Sequence, residues 1–177
     1  LQDNAGGDSG AVYMHANSNW WAPYQKIVPA DVQAGDFFGY GVSVWGDYAI
    51  AGSPRDGDKG VDSGSAYVYE RVNGQWLQKA KLTAPDGKSG DFFGLTVEIK
   101  GNRAVVAAVP NFGNFASPGK VYVYERNQIG EWAYQAKLTS PYIQTGNKFG
   151  FSLDMEGNFL VVGSPSSVTP GAPRLGA

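Results

Sequence analysis

Short apolar runs rich in Val, Tyr, Trp and Ile, separated by Gly, Asn and Asp, cover most of the chain. Runs of this kind predict β-strands. Gly10 to His15 alternates along its length, and Trp21 to Val28 follows after a turn at Asn17 to Asn19. Gly41 to Val44 and Tyr48 to Gly52 are the next two strands, joined at Gly46-Asp47. Ala66 to Arg71 and Gln75 to Leu82 are joined at Asn73-Gly74, a dipeptide that favours a tight hairpin. Turns at Gly101-Asn102 and Gln128 to Gly130 mark the same two hairpins in a second set. Ser152 to Met155 and Phe159 to Gly163 form a last pair.

The pattern is a duplication. Asp36 to Leu82 recurs as Asp91 to Leu138. Each copy opens on Asp-Phe-Phe-Gly (Asp36 to Gly39, Asp91 to Gly94) and runs to a small-residue-Pro step, Ser53-Pro54 or Val109-Pro110. Each continues into Tyr-Val-Tyr-Glu-Arg (Tyr67 to Arg71, Tyr122 to Arg126) and closes on Ala-Lys-Leu-Thr (Ala80 to Thr83, Ala136 to Thr139). Gly39 and Gly94 lie 55 residues apart. A period of roughly 50 residues signals propellers or arrays, and four short strands per period fit one blade of a β-propeller. The predicted fold class is therefore all-β, built of four-stranded antiparallel blades.

The same register places half-repeats on either side. Tyr13 aligns with Tyr67 and Trp21 with Trp76, so residues 1–34 read as the second half of a blade, strands three and four. Residues 35–90 and 91–146 are full blades. Residues 147–165 are a first half, with Phe149-Gly150 and Ser164-Pro165 in place, and 166–177 is a Pro/Gly-rich tail or linker. These make about three blade-equivalents, whereas propellers close with four to eight. The chain is expected to meet further blades, from the same parent chain or from a second copy, and not to stand as a stable lone monomer. In a pair of copies, six blades would form, each junction blade shared between chains.

The Phe-Gly start, with Gly-Ser-Pro ending strand two, resembles the FG-GAP repeat of integrin α-subunit propellers and of many secreted microbial and algal proteins. The resemblance covers nearly all of residues 8–165. It implies an extracellular or cell-surface, non-enzymatic scaffold or adhesion module that binds protein through its loop face. Calcium-binding members resemble an EF-hand loop between strands one and two. Here those loops are Trp45 to Tyr48, Lys100 to Arg103 and Glu156 to Asn158, too poor in oxygen ligands for an ion that needs six to eight. No cofactor is expected from them.

Composition narrows the alternatives. A charged share of 17% and a hydrophobic share of 42% allow a buried core and exclude a disordered chain. A net charge of -2 argues against a nucleic-acid partner, which would select a basic stripe. No apolar run approaches the roughly 20 residues of a membrane span. The absence of Cys removes disulfides, thiolate catalysis and Cys-ligated zinc. The chain begins on Leu1, not Met, which implies an upstream segment removed by signal cleavage or at some other boundary.

Candidate chemistry is sparse. His15 is the lone histidine, aligned with Tyr69 and Tyr124, and reads as a packing residue. Asp36 and Asp91, with Asn147 in the third copy, read as turn caps bonded to backbone N–H groups. The recurring Trp21, Trp76 and Trp132 are expected between blades. With up-and-down strands, the loops two-to-three and four-to-one share one face. That face collects Arg55 to Asp62, Asn111 to Pro118, Pro85 to Gly90 and Tyr142 to Gly146, and its ligand candidates are Arg55, Asp56, Asp58, Asp62, Phe112, Asn114, Phe115 and Tyr142. The turn Asp56 to Asp62 reads as a solvated acidic loop containing Lys59, with an ion held by Asp56, Asp58 and Asp62 as the alternative. The unrepeated aromatics Trp20, Trp45, Phe112, Phe115 and Tyr142 leave a lectin-like, sugar-stacking surface as the second functional reading. A part of a secreted enzyme is the third, disfavoured by the scarcity of acid–base groups.

Overall fold

The fold is seen in a computed structural model, which describes residues 6–17, 21–110, 118–141 and 147–165. Among the described residues every regular element is a strand. The strands are β1 Val12–Ala16, β2 Ala22–Ile27, β3 Val42–Trp45, β4 Tyr48–Ser53, β5 Ser65–Val72, β6 Gln75–Leu82, β7 Phe93–Lys100, β8 Arg103–Ala108, β9 Lys120–Arg126, β10 Trp132–Thr139, β11 Ser152–Glu156 and β12 Phe159–Gly163. They form two four-stranded sheets, β3-β4-β5-β6 and β7-β8-β9-β10, and two hairpins, β1-β2 and β11-β12, all antiparallel. Several strands run a residue or two past the predicted ends. β5 starts at Ser65, and β7 takes in the Phe-Gly step itself across a bulge between Phe93 and Thr96.

The sheets stand face to face, and the period-two alternation of each inner strand feeds two cores. From β4, Ala49 and Ala51 join a core shared with β1 and β2, while Ile50 joins the core between the two complete blades. From β8, Ala104, Val106 and Ala108 point to that central core, and Val105 and Ala107 to the core shared with β11 and β12. Opposite faces of one strand can both be apolar only because a blade is covered on both sides.

The Phe-Gly segments couple one blade to the next. Phe38 and Phe93 are buried, edge-on to Tyr67 at 5.4 Å and to Tyr122 at 5.5 Å. Gly94 has φ +95°, and a Cβ there would sit 2.2 Å from the Ser65 carbonyl oxygen, so only glycine lets the two backbones approach. The expected turn caps are in place: Asp36 accepts from the Gln33 N–H at 2.7 Å and Asp91 from the Lys88 N–H at 3.0 Å.

Two positions of the first half-blade differ in burial from their counterparts. Trp76 is buried and Trp132 packs against the central core, but Trp21 is exposed. His15 is also exposed, its Nδ1 2.7 Å from the Trp21 carbonyl oxygen, whereas its counterparts Tyr69 and Tyr124 are buried. The cause is the same for both: β1-β2 has no blade packed on its outer side among the described residues.

Candidate functional site

The two-to-three loop of the first blade, residues 54–64, is built from beneath. Asp56 is buried. Its carboxylate accepts from the Asp58 N–H at 3.0 Å, the Ser65 hydroxyl at 3.0 Å and the Tyr67 hydroxyl at 3.1 Å. It also meets the Lys81 ammonium at 2.8 Å. That ammonium lies 2.8 Å from Asp31 and 2.7 Å from Asp58 as well. Burial alone would raise the Asp56 carboxyl, but the bonds from Lys81, Asp58 and Ser65 outweigh it and hold the group below its ordinary value. Burial opposes the charge on Lys81, and the bonds to Asp31, Asp56 and Asp58 reverse that and push its pKa up.

The cation that stands between Asp56 and Asp58 is the Lys81 ammonium, from the outer strand β6, and not Lys59. Asp62 does different work. Its backbone is left-handed, at φ 54°, a conformation Asp tolerates better than most residues, and its carbonyl accepts the Phe92 N–H at 3.0 Å. Val61 and Ser63 accept in the same way from Gly90 and Phe93. Gly7, Asp8 and Ser9 repeat this backbone latch onto Gly35, Phe37 and Phe38. Among the described residues no three His, Cys, Asp or Glu converge as metal ligands.

The latch places loop 54–64 beside the Pro85 to Gly90 linker, on one face as expected. Arg55 is exposed, with its guanidinium 4.7 Å over the Phe37 ring, and its backbone N–H donates to the Asp36 carbonyl at 3.3 Å. Val61 and Lys59 are exposed beside it. The other candidates, Phe112, Asn114, Phe115 and Tyr142, lie outside the described residues.

Sequence reasoning passed over Lys81 and Asp31, although a signal was present. Lys81 recurs as Lys137, Tyr67 as Tyr122 and Asp31 as Asp86. In the second blade the Lys137 ammonium meets Asp86 at 2.8 Å, and Asp86 accepts from the Tyr122 hydroxyl at 2.8 Å. The Lys137 bond, with that of Tyr122, lowers Asp86 to about 2. An aspartate in each linker thus clasps the outer strand of the blade that follows.

Four-stranded antiparallel sheets stacked face on face, each latched to the next through a Phe-Gly segment, are propeller blades standing in an open row. Residues 21–69, 76–124 and 132–177 match the FG-GAP repeat, and the chain belongs to this family. The first matched segment begins on Trp21, just before β2, and the other two on the outer-strand Trp76 and Trp132; the first two end on the Tyr of a third strand, so a repeat in sequence spans two sheets in space. A search of curated proteins finds no match to the chain.

Proposed function

We propose that this chain is a non-enzymatic, extracellular propeller scaffold that binds a protein partner through its loop face. One observation carries the reading. Loop 54–64 is pinned from below by Asp56, Lys81 and the backbone latch, while Arg55, Lys59 and Val61 project outward. A fixed loop loses little conformational entropy on binding, which favours recognition. The likeness of these repeats to integrin α-subunit propellers supports the loop face and the extracellular setting. Against catalysis stands the use of the ionisable groups: Asp56, Lys81, Asp86 and Lys137 are bonded to one another or to the fold, and His15 lies outside the loop face on β1.

Paired protein and glycan arrays test this. Expected is reproducible binding to a protein, reduced at least tenfold by Val61→Asp or Arg55→Ala with the circular dichroism unchanged. Sugar binding lost in Phe115→Ala would replace the reading with the lectin-like one, and loop variants that bind like the native chain would overturn it.

A further inference from the structure

The turns β3-β4, β7-β8 and β11-β12 lie at the end of the blades away from the loop face, and their backbones are alike. Each is a two-residue turn on a glycine in the left-handed region, Gly46 at φ 56°, Gly101 at φ 63° and Gly157 at φ 56°. Each is closed by one cross-strand pair: Trp45 with Tyr48, Lys100 with Arg103, Glu156 with Phe159. The backbone repeats, and the side chains of the closing pair do not. Residues that recur in every repeat serve the blade. Residues that differ at equivalent places on one scaffold are free to serve a ligand.

The differing side chains converge. A cavity of about 410 Å³ opens among the three turns, lined by Trp45 from the first, Lys100, Asn102 and Arg103 from the second, and Glu156 and Asn158 from the third. Small-molecule sites span roughly 300–1,000 Å³. Each turn has both of its strands in place, and the walls are held from within. The Lys100 ammonium pairs with the Glu156 carboxylate. Arg103 donates through Nη1 to the Gly157 carbonyl at 3.2 Å, and Asn102 donates to the Glu125 carboxylate at 2.6 Å. Trp45 is 45% exposed, a large aromatic surface at the edge of a polar cavity.

The geometry points to a saccharide-binding site among these turns, with a sugar ring laid against the Trp45 indole and its hydroxyls bonded to Arg103, Glu156 and Asn158. An indole offers a broad apolar face with a polar N–H at its edge, which suits the C–H face of a pyranose. Around it stand N–H donors on Arg103 and Asn158 and oxygen acceptors on Glu156 and Asn158. A hydroxyl both donates and accepts, so a polyol answers both kinds. A wholly apolar ligand would strand these groups without partners, and a polyanion would meet the Glu156 carboxylate. The ion pair and the Arg103 bond fix the walls before a ligand arrives, which lowers the entropy lost on binding. Trp45 stands where the other two turns carry Lys100 and Glu156, and Arg103 where they carry Tyr48 and Phe159, so this is one site and not one per blade. It is separate from the loop face and does not depend on what that face binds.

The test uses the 177-residue chain on an array of neutral and uronic-acid oligosaccharides, with the tightest of them titrated by calorimetry. Expected is saturable binding of one oligosaccharide per chain. Trp45→Ala removes an exposed side chain at a turn, and Arg103→Gln keeps a donor but loses the guanidinium. Each is expected to weaken the binding at least tenfold with the circular dichroism unchanged. An array on which no oligosaccharide binds would overturn the proposal, and so would binding that either folded variant leaves at its native strength. Sugar binding lost in Phe115→Ala and kept in Trp45→Ala would move the site to the loop face and overturn it as well. A protein partner lost in Val61→Asp bears on the loop face alone, so the two readings fail separately.

Discussion

Val97 and Ile99 of the second blade are 5% and 1% exposed, and Val42 and Val44, at the same positions of the first blade, are 60% and 62% exposed. The strands that carry them are alike, each an innermost strand with apolar and polar residues in alternation. What differs is the sheet opposite. β7 faces β3 and β4, whereas β3 faces a hairpin that has no inner strands. The linker clasps differ in the same manner. Lys81 meets three carboxylates, one of them buried, while among the described residues Lys137 meets Asp86 alone at the exposed rim. In a repeat fold, then, sequence position sets the direction a side chain points, and the neighbouring blade sets how much free energy that direction is worth.

The clasps offer the largest expected difference. Lys81→Met leaves Asp56 buried without its cation, a loss of about 3 kcal/mol by the cost of breaking a buried pair. Lys137→Met removes an exposed pair, and its expected cost is far smaller. Urea unfolding of the two variants measures the gap. Equal losses would mean that the buried Asp56 adds nothing to the clasp.

The strand-one positions come next. Ile99→Ala empties a site in the central core, at an expected cost of about 2–4 kcal/mol. Val44→Ala is expected to cost within about 0.5 kcal/mol, as a surface substitution does. Thermal melts of both variants separate these behaviours. A Val44→Ala cost as large as that of Ile99→Ala would show that something covers β3.

The blade itself is legible in sequence because its signals are local and recur. Phe-Gly marks the latch, Asn73-Gly74 and Gly101-Asn102 mark hairpins, and the Tyr-Val-Tyr run marks the third strand. The loop face is legible in placement, since strand direction alone decides which loops meet. Individual roles are less so. Asp56 and Lys81 lie 25 residues apart in the chain, and their contact depends on a hairpin folding back across the sheet, which no spacing rule encodes. The part played by Asp62 is conformational, a left-handed backbone presenting a carbonyl, which acidic density alone does not announce. Trp21 and His15 show the converse limit. Alignment with Trp76 and Tyr69 identifies their place in a blade correctly and says nothing of whether a blade lies beyond.

The smallest expected difference concerns two tyrosine hydroxyls in equivalent positions. Tyr124 donates to the Thr83 carbonyl at 2.8 Å across the inter-blade seam. Tyr69 is buried, and among the described residues its hydroxyl has no hydrogen-bond partner. In both, burial raises the phenol well above its ordinary value, so neither ionises in the working range of pH. Removing a satisfied hydroxyl forfeits a bond of about 1 kcal/mol and leaves the Thr83 carbonyl unpaired. Removing an unsatisfied one forfeits nothing and relieves the desolvation of a polar atom. Tyr124→Phe is therefore expected to destabilise by about 1 kcal/mol, and Tyr69→Phe to be neutral or to stabilise by up to about 1 kcal/mol. The two variants differ from the native chain by one oxygen each at the same position of two blades, so chain entropy and packing cancel between them. Opposite signs in their unfolding midpoints would locate the difference in the seam, where the first blade has only half a neighbour. A loss in Tyr69→Phe equal to that in Tyr124→Phe would mean that the Tyr69 hydroxyl is satisfied in solution and that the two seams are closed alike.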